Sequence, residues 1–235
     1  MALGFRLIPV LDLMAGRVVR AREGRRDEYR PLATPLAAGS DPEAVLAGLM
    51  AVHPFETCYV ADLDAILGRG DHRQALAGLA RRWPGVEFWV DAGLADAEAV
   101  AAWPRALGRP VLGSESLASP GVVLTAPDAV LSLDFRDGSF LGPADLATDP
   151  ACWPDDIIVM DLNRVGSGRG PDTGRLAALR AKAPEKRFHG AGGTRNPADL
   201  EAWREAGAAG VLLASALHDG GLTAPDLASL TPGVR

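Results

Sequence analysis

TCYVADLDAILGRG (57–70) and DIIVMDLNRVGSGRG (156–170) decide the fold. Each opens on a short apolar run, ends that run on an aspartate, and passes into a polar, glycine-closed turn. Similar runs recur along the chain, each followed by an alanine- and leucine-rich stretch of helical period, which is the pattern of strands and helices alternating around a parallel sheet. Working outward, strands are expected at 6–12, 57–62, 86–91, 109–113, 129–134, 156–161, 186–190 and 210–214. Eight is the closing number for a (βα)8 TIM barrel. The helices between them have readable starts: Ser40-Asp41-Pro42-Glu43 and Asn196-Pro197 put a capping side chain ahead of a proline suited to the first turn.

The two opening stretches also resemble one another, and three further pairs follow in the same order. LDLMAG (11–16) echoes LDFRDG (133–138), FWVDAG (88–93) echoes FHGAGG (188–193), and LGSESL (112–117) echoes LASAL (213–217). Three of the four pairs lie about one hundred residues apart, which implies a duplicated four-strand unit. The expected organisation is a single domain over 1–235 made of two homologous half-barrels, about 1–120 and 121–235. The first pair is displaced because 15–39, rich in arginine and then in proline, reads as one long polar loop of the kind that serves function.

Composition limits what such a barrel does. The chain has 235 residues, 48% hydrophobic and 23% charged, with a net charge of -6. That balance fits one globular core and offers no basic face for nucleic acid. Cys58 and Cys152 are too few and too far apart for a disulfide framework or a metal motif, and both read as buried thiols. The N-terminal apolar stretch is too short for a signal peptide, and no run is long enough to span a membrane, so a cytoplasmic location is expected.

Five of the eight strands end on a carboxylate: Asp12, Asp62, Asp91, Asp134 and Asp161. In a barrel these ends share the face where active sites sit, although an aspartate there also caps helices and braces loops. Asp12 and Asp134 occupy equivalent places in the repeat, on opposite sides of the mouth. Two carboxylates held that way can differ in pKa, one donating and one accepting a proton, so they are the catalytic candidates. Loops after strands seven and eight carry Gly192, Gly193, Ala214 and Ser215, with backbone N–H groups and a helix start suited to a phosphate. The repeat offers Gly113 and Ser114 as a second anchor, but Asp91 stands beside them and would repel an anion. Asp62, Asp91, Asp161, Arg22 and His189 are candidate substrate contacts, the arginine as one of a group (Arg20, Arg22, Arg25, Arg26, Arg30) that could clamp a closing site. His189 reads equally well as a hydrogen-bonded structural residue. The five tryptophans read as packing residues.

IPVLDLMAGRVVR, YVADLDAI, LGSESL, LDFRDG and GAGGTRNPADLEAWREAGAAGVLLASAL together resemble the HisA/HisF family of histidine biosynthesis, over essentially the whole chain and most closely its isomerase branch. The resemblance implies an enzyme that opens a ribose ring and moves hydrogen from C2 to C1, with Asp12 and Asp134 on the family's catalytic aspartates and neither a cofactor nor a metal. Departures accompany it. The glycine triplet expected after strand three is Asp91-Ala92-Gly93, Met160 replaces a threonine, and Arg164-Val165-Gly166-Ser167 replaces an Arg-Asp-Gly-Thr turn. One clear phosphate site therefore suggests a singly phosphorylated substrate. GRRDEYRPL (24–32) and YVADLDAILG (59–68) resemble a subgroup of methanogens and methylotrophs associated with tetrahydromethanopterin, which implies an aryl ribofuranose phosphate as substrate. The alternatives are the histidine-pathway (ProFAR) isomerase reaction itself, a cyclase or lyase of HisF type, whose glutaminase partner is not expected here, and a non-catalytic phosphate-binding relative.

Overall fold

The computed structural model describes residues 4–230; Met1–Leu3, part of the N-terminal stretch read above, and residues 231–235 lie outside them. Eight strands, β1 (Arg6–Met14), β2 (Thr57–Asp62), β3 (Glu87–Asp91), β4 (Arg109–Gly113), β5 (Val130–Arg136), β6 (Asp156–Asp161), β7 (Arg187–Ala191) and β8 (Gly210–Leu213), pair in parallel in chain order. β8 returns to β1, with Arg6 opposite Gly210 and Pro9 opposite Leu213, so the sheet closes into a (βα)8 barrel. Asp41 caps the helix Pro42–Val52 by accepting from Ala44 N–H at 3.0 Å. Asn196 caps Pro197–Glu205 from Asp199 N–H at 3.1 Å. Each cap is worth about 1 kcal/mol.

Strand parity divides the buried residues into two sets. Leu11, Leu13, Val60, Val90, Leu112, Leu131 and Val159 face outward and join the layer under the helices. Ile8, Tyr59, Ala61, Trp89, Val111, Val130, Ile158, Ala191 and Leu212 face inward and fill the barrel. Trp89 is thus a barrel-filling side chain on a strand, while Trp203 lies on a helix and packs across Gly190, where a Cβ would come within 2.6 Å of its ring. Cys58 is buried as expected, whereas Cys152 is partly exposed at the end of a short 3-10 turn.

The segment after β1 is not the single polar loop expected. β1 runs two residues past Asp12, turns through Ala15 (φ 49°) and Gly16 (φ 74°), and pairs back with Arg17–Arg20, placing Val19 opposite Asp12. β5 does the same: it passes Asp134, turns through Asp137 (φ 51°) and Gly138 (φ 79°), and pairs with Ser139–Leu141, placing Leu141 opposite Asp134. Two successive residues at positive φ make the turn whose twist suits a two-residue hairpin. Both tips are tied down from the next loop along, Ala15 N–H to Asp64 Oδ2 at 2.8 Å and Asp137 N–H to Asn163 Oδ1 at 2.6 Å. Asp64 and Asn163 are equivalent positions of the two stretches that opened the sequence analysis.

Candidate active site

A cavity of about 490 Å³ opens at the C-terminal end of the strands. Asp12, Asp91 and Asp134 reach it because they continue the inward register of Ile8, Trp89 and Val130. Asp134 is firmly held: Ser132 Oγ donates to its Oδ1 at 2.6 Å, Glu115 N–H to its Oδ2 at 3.2 Å, and Ser114 Oγ lies 3.2 Å from Oδ2. No protein donor reaches the Asp12 carboxylate among the described residues; the guanidinium of Arg26 is its charged neighbour. Burial raises both carboxyls to about 7, against the pull of Arg26 at Asp12 and of the Ser132 hydroxyl at Asp134, where Asp91 and Glu115 push further upward. Two buried carboxyls that titrate near neutrality across one cavity can exchange protons with a ligand between them.

Asp91 and Asp134 are charged neighbours that meet beside Gly113. A Cβ on Gly113 would lie 3.0 Å from Asp91 Oδ2 and 3.5 Å from Asp134 Oδ2, so a side chain there would crowd Asp91. Burial lifts Asp91 to about 6, offset by the N–H of Gly93, which donates to Oδ1 at 3.0 Å. The Tyr59 hydroxyl faces Oδ2 at 3.4 Å. Above them the loop after β1 crosses the mouth, and Arg26 forms an ion pair with Glu115 on the far side. Tyr29, buried on that loop, lines the same end, and burial together with the charge of Asp12 raises its hydroxyl to about 12.

At the opposite end the wall is backbone. Gly192 (φ 92°) and Gly193 (φ 86°) turn the chain after β7, and a Cβ on Gly193 would sit 2.0 Å from the Gly170 carbonyl of the loop after β6. Gly192, Gly193, Ala214 and Ser215 all line the cavity. Among the described residues the N–H groups of Gly193 and Ser215, both on the cavity wall, have no protein acceptor. The helix after β8, Ser215–His218, is only one turn long, so individual N–H groups rather than an extended helix dipole form this end. Gly166, Ser167 and Gly168 close it from the β6 side, and Arg20, bidentate to Asp219, stands at its rim.

The remaining candidates fall elsewhere. Gly113 and Ser114 do not line the cavity; Ser114 is wholly buried, donates to the Leu141 carbonyl at 2.7 Å and braces Asp134, so this pair serves the carboxylates rather than a second anion. Asp62 points away from the interior, caps the helix Leu63–Ile66 and accepts from His72 N–H and Nδ1, each at 2.7 Å. Asp161 faces outward too and organises its own turn, accepting from Asn163 N–H at 3.1 Å and Arg164 Nε at 3.2 Å. Arg22 is exposed, while Arg26 and Arg20 are the members of its group that face the cavity. His189 faces inward but one layer lower than Ala191. Its Nε2 meets Asp156 Oδ1 at 3.0 Å, its ring stands edge-on to Trp89, and burial lowers its pKa, so it belongs to the barrel floor. Tyr59 and Glu115 were not singled out from the sequence, and the Gly166–Gly168 turn was noted only as part of a departure from the family's pattern, not as a site element. Parity with Ala61 marks Tyr59, and the echo of GRG (68–70) in GRG (168–170) marks the turn; nothing local marks Glu115.

A closed barrel with buried carboxylates across its mouth and a glycine-walled end is a small-molecule enzyme scaffold. The chain belongs to the histidine biosynthesis protein family, whose model matches residues 6–223. An uncharacterised protein of Methanocaldococcus jannaschii is 30% identical over 220 residues, 92% of this chain and 94% of that protein. Two relatives are named as isomerases of 1-(5-phosphoribosyl)-5-((5-phosphoribosylamino)methylideneamino)imidazole-4-carboxamide. That of Thermus thermophilus is 28% identical over 233 residues (92% and 95% of the two chains), and that of Xanthomonas campestris 31% over 251 (95% and 98%). Among the described residues no helix is long and apolar enough to cross a membrane.

Proposed function

We propose that this chain is an aldose–ketose isomerase acting on a singly phosphorylated ribosyl compound with an aromatic group at C1, an aryl ribofuranose phosphate of the tetrahydromethanopterin pathway. The observation that carries the reading is the inequality of the cavity ends. The glycine-walled end suits one phosphate, held by the N–H groups of Gly192, Gly193, Ala214 and Ser215, and places the sugar between Asp12 and Asp134. The other end is lined by Tyr29, Tyr59, Leu63 and Ile66 beside Asp91, surfaces that suit a flat apolar group better than a second phosphate.

In this reading one carboxyl protonates the ring oxygen as the C1–O bond breaks. The other, as carboxylate, removes the proton from C2 and returns it to C1, while the first recovers a proton from the C2 hydroxyl as it becomes the ketone. Donor and acceptor end the cycle as they began, and the product is an isomer of the substrate. The relatives in Thermus and Xanthomonas favour a second reading, the same chemistry on the imidazole compound with two phosphoribosyl groups.

Incubation of the purified protein with an aryl ribofuranose 5-phosphate in deuterated water separates the two. The expected result is an open-chain ketone isomeric with the substrate, carrying at C1 the hydrogen that left C2, or deuterium where that proton exchanges with solvent before its return, with no turnover of the imidazole compound and no rescue of a histidine auxotroph lacking the isomerase. Rescue, or preferential turnover of the imidazole compound, would overturn the reading.

A further inference from the structure

We propose that Asp91 is the specificity residue of this cavity, accepting a hydrogen bond from an N–H or O–H donor on the aromatic end of the substrate and turning away a phosphate at that position. The inference rests on the function proposed above and names what its aromatic end must carry.

Asp91 is the last residue of β3, 7% exposed, and lines the cavity. Its acceptor capacity is only partly used. Gly93 N–H takes one site on Oδ1 at 3.0 Å, and the Tyr59 hydroxyl approaches Oδ2 at the long distance of 3.4 Å. A carboxylate accepts about four hydrogen bonds, so sites remain on the side facing the cavity. An apolar group there would leave a buried acceptor without a partner, and that is costly.

Charge gives the same answer. Glu115 and Asp134 are charged neighbours of Asp91, and the cation beside it, Arg26, is already paired with Glu115. A phosphate would enter a pocket of carboxylates whose counter-charge is spent. A neutral donor on a ring, seated against Tyr59, satisfies Asp91 without adding negative charge.

The test uses the full chain and three ribofuranose 5-phosphates bearing at C1 a phenyl, a para-aminophenyl or a para-phosphonophenyl group, with affinities measured by calorimetry without turnover. Wild type is expected to bind the amino compound about tenfold more tightly than the phenyl compound, the worth of one hydrogen bond to a charged group, and not to bind the phosphono compound. Asp91→Ala should bring amino and phenyl affinities together while leaving the phenyl affinity in place. The isosteric Asp91→Asn should admit the phosphono compound. Equal affinity of wild type for amino and phosphono compounds, equal loss of all three in Asp91→Ala, or failure of wild type to bind any of them while it binds inorganic phosphate would each overturn the proposal. Discrimination without ketone formation would instead overturn the proposed reaction and leave the role of Asp91 standing.

Discussion

Asp12 and Asp134 sit at the same register of two matching hairpins, opposite Val19 and Leu141, yet the Asp134 carboxylate is held by the Ser132 hydroxyl and Glu115 N–H while that of Asp12 takes no hydrogen bond from the described residues. An anchored carboxyl and an unanchored one are suited to different halves of a proton transfer. Asp12→Asn and Asp134→Asn should each lower kcat for the isomerisation by about 100- to 10,000-fold with the fold intact by circular dichroism. Ser132→Ala, which removes the shortest of the hydrogen bonds to Asp134 and leaves that from Glu115 N–H, should lower kcat by about tenfold with KM nearly unchanged, as loss of one such hydrogen bond does. Unchanged turnover in both asparagine variants would remove the pair from the chemistry.

In the proposed mechanism the same two groups set the pH dependence of the rate. Both are raised to about 7 by burial, and the mechanism needs one protonated and one ionised. With one needed as acid and the other as base, kcat/KM should follow a narrow bell with its maximum near neutrality. A profile flat from pH 5 to pH 9, measured at saturating buffer capacity, would contradict this assignment.

Asp62 predicts a contrast with those carboxylates. It serves the helix Leu63–Ile66 and the His72 backbone and ring, not the cavity. Asp62→Ala leaves those donors unpaired in a buried place and should cost about 2–4 kcal/mol in urea denaturation. Activity per folded molecule should fall much less than in Asp12→Asn. A loss of turnover as deep as that of Asp12→Asn, with stability unchanged, would move Asp62 into the site.

The strands were legible because a parallel barrel buries both faces of each strand, and a short apolar run bounded by polar turns has few other readings. The return strands Arg17–Arg20 and Ser139–Leu141 were not read, although the paired tips Ala15-Gly16 and Asp137-Gly138 were present as an internal echo. One of those tips has alanine at positive φ, and a turn residue outside the usual asparagine, aspartate and glycine gives no local signal. Among strand-end carboxylates, parity separates Asp12, Asp91 and Asp134 from Asp62 and Asp161: residues two and four before the first three face inward, as Ile8, Trp89 and Val130 do. His189 passes that parity test and still misses the cavity, because depth along the barrel axis depends on how neighbouring strands are staggered, and register between strands is not written in any one of them. The Arg26–Glu115 pair joins residues 89 apart in sequence and depends on the path of the loop, beyond the reach of a local pattern.

Gly193 ties the glycine-walled end of the cavity to the loop after β6. Its φ is 86°, and a Cβ would lie 2.0 Å from the Gly170 carbonyl, an overlap that backbone movement alone can relieve. Gly193→Ala should therefore displace the Gly166–Gly170 turn, weaken inorganic phosphate binding by at least about tenfold and raise KM, with stability lowered by about 1–3 kcal/mol. Gly168→Ala, at φ 70° but in open space, carries the backbone strain without the collision. Phosphate affinity equal in the two variants would show that the contact with Gly170 does not shape the site.

Stability should also depend on pH in the sense set by the buried carboxyls. In the folded chain Asp12 and Asp134 stand at about 7 and Asp91 at about 6, against an ordinary 3.8. The folded state thus holds protons more tightly than the unfolded one, so their favourable contribution is complete below pH 4 and is lost as pH rises through 6 and 7. Removing one of these charges while keeping its shape, as in Asp91→Asn, should leave stability at pH 4 nearly unchanged and raise it at pH 8 by about 1–3 kcal/mol. The measurement is a pair of urea unfolding curves for wild type and variant at each pH. If wild type is more stable than the variant at pH 8, the carboxylate of Asp91 is held by favourable contacts that outweigh its burial, and the repulsive reading of this end of the cavity fails with it.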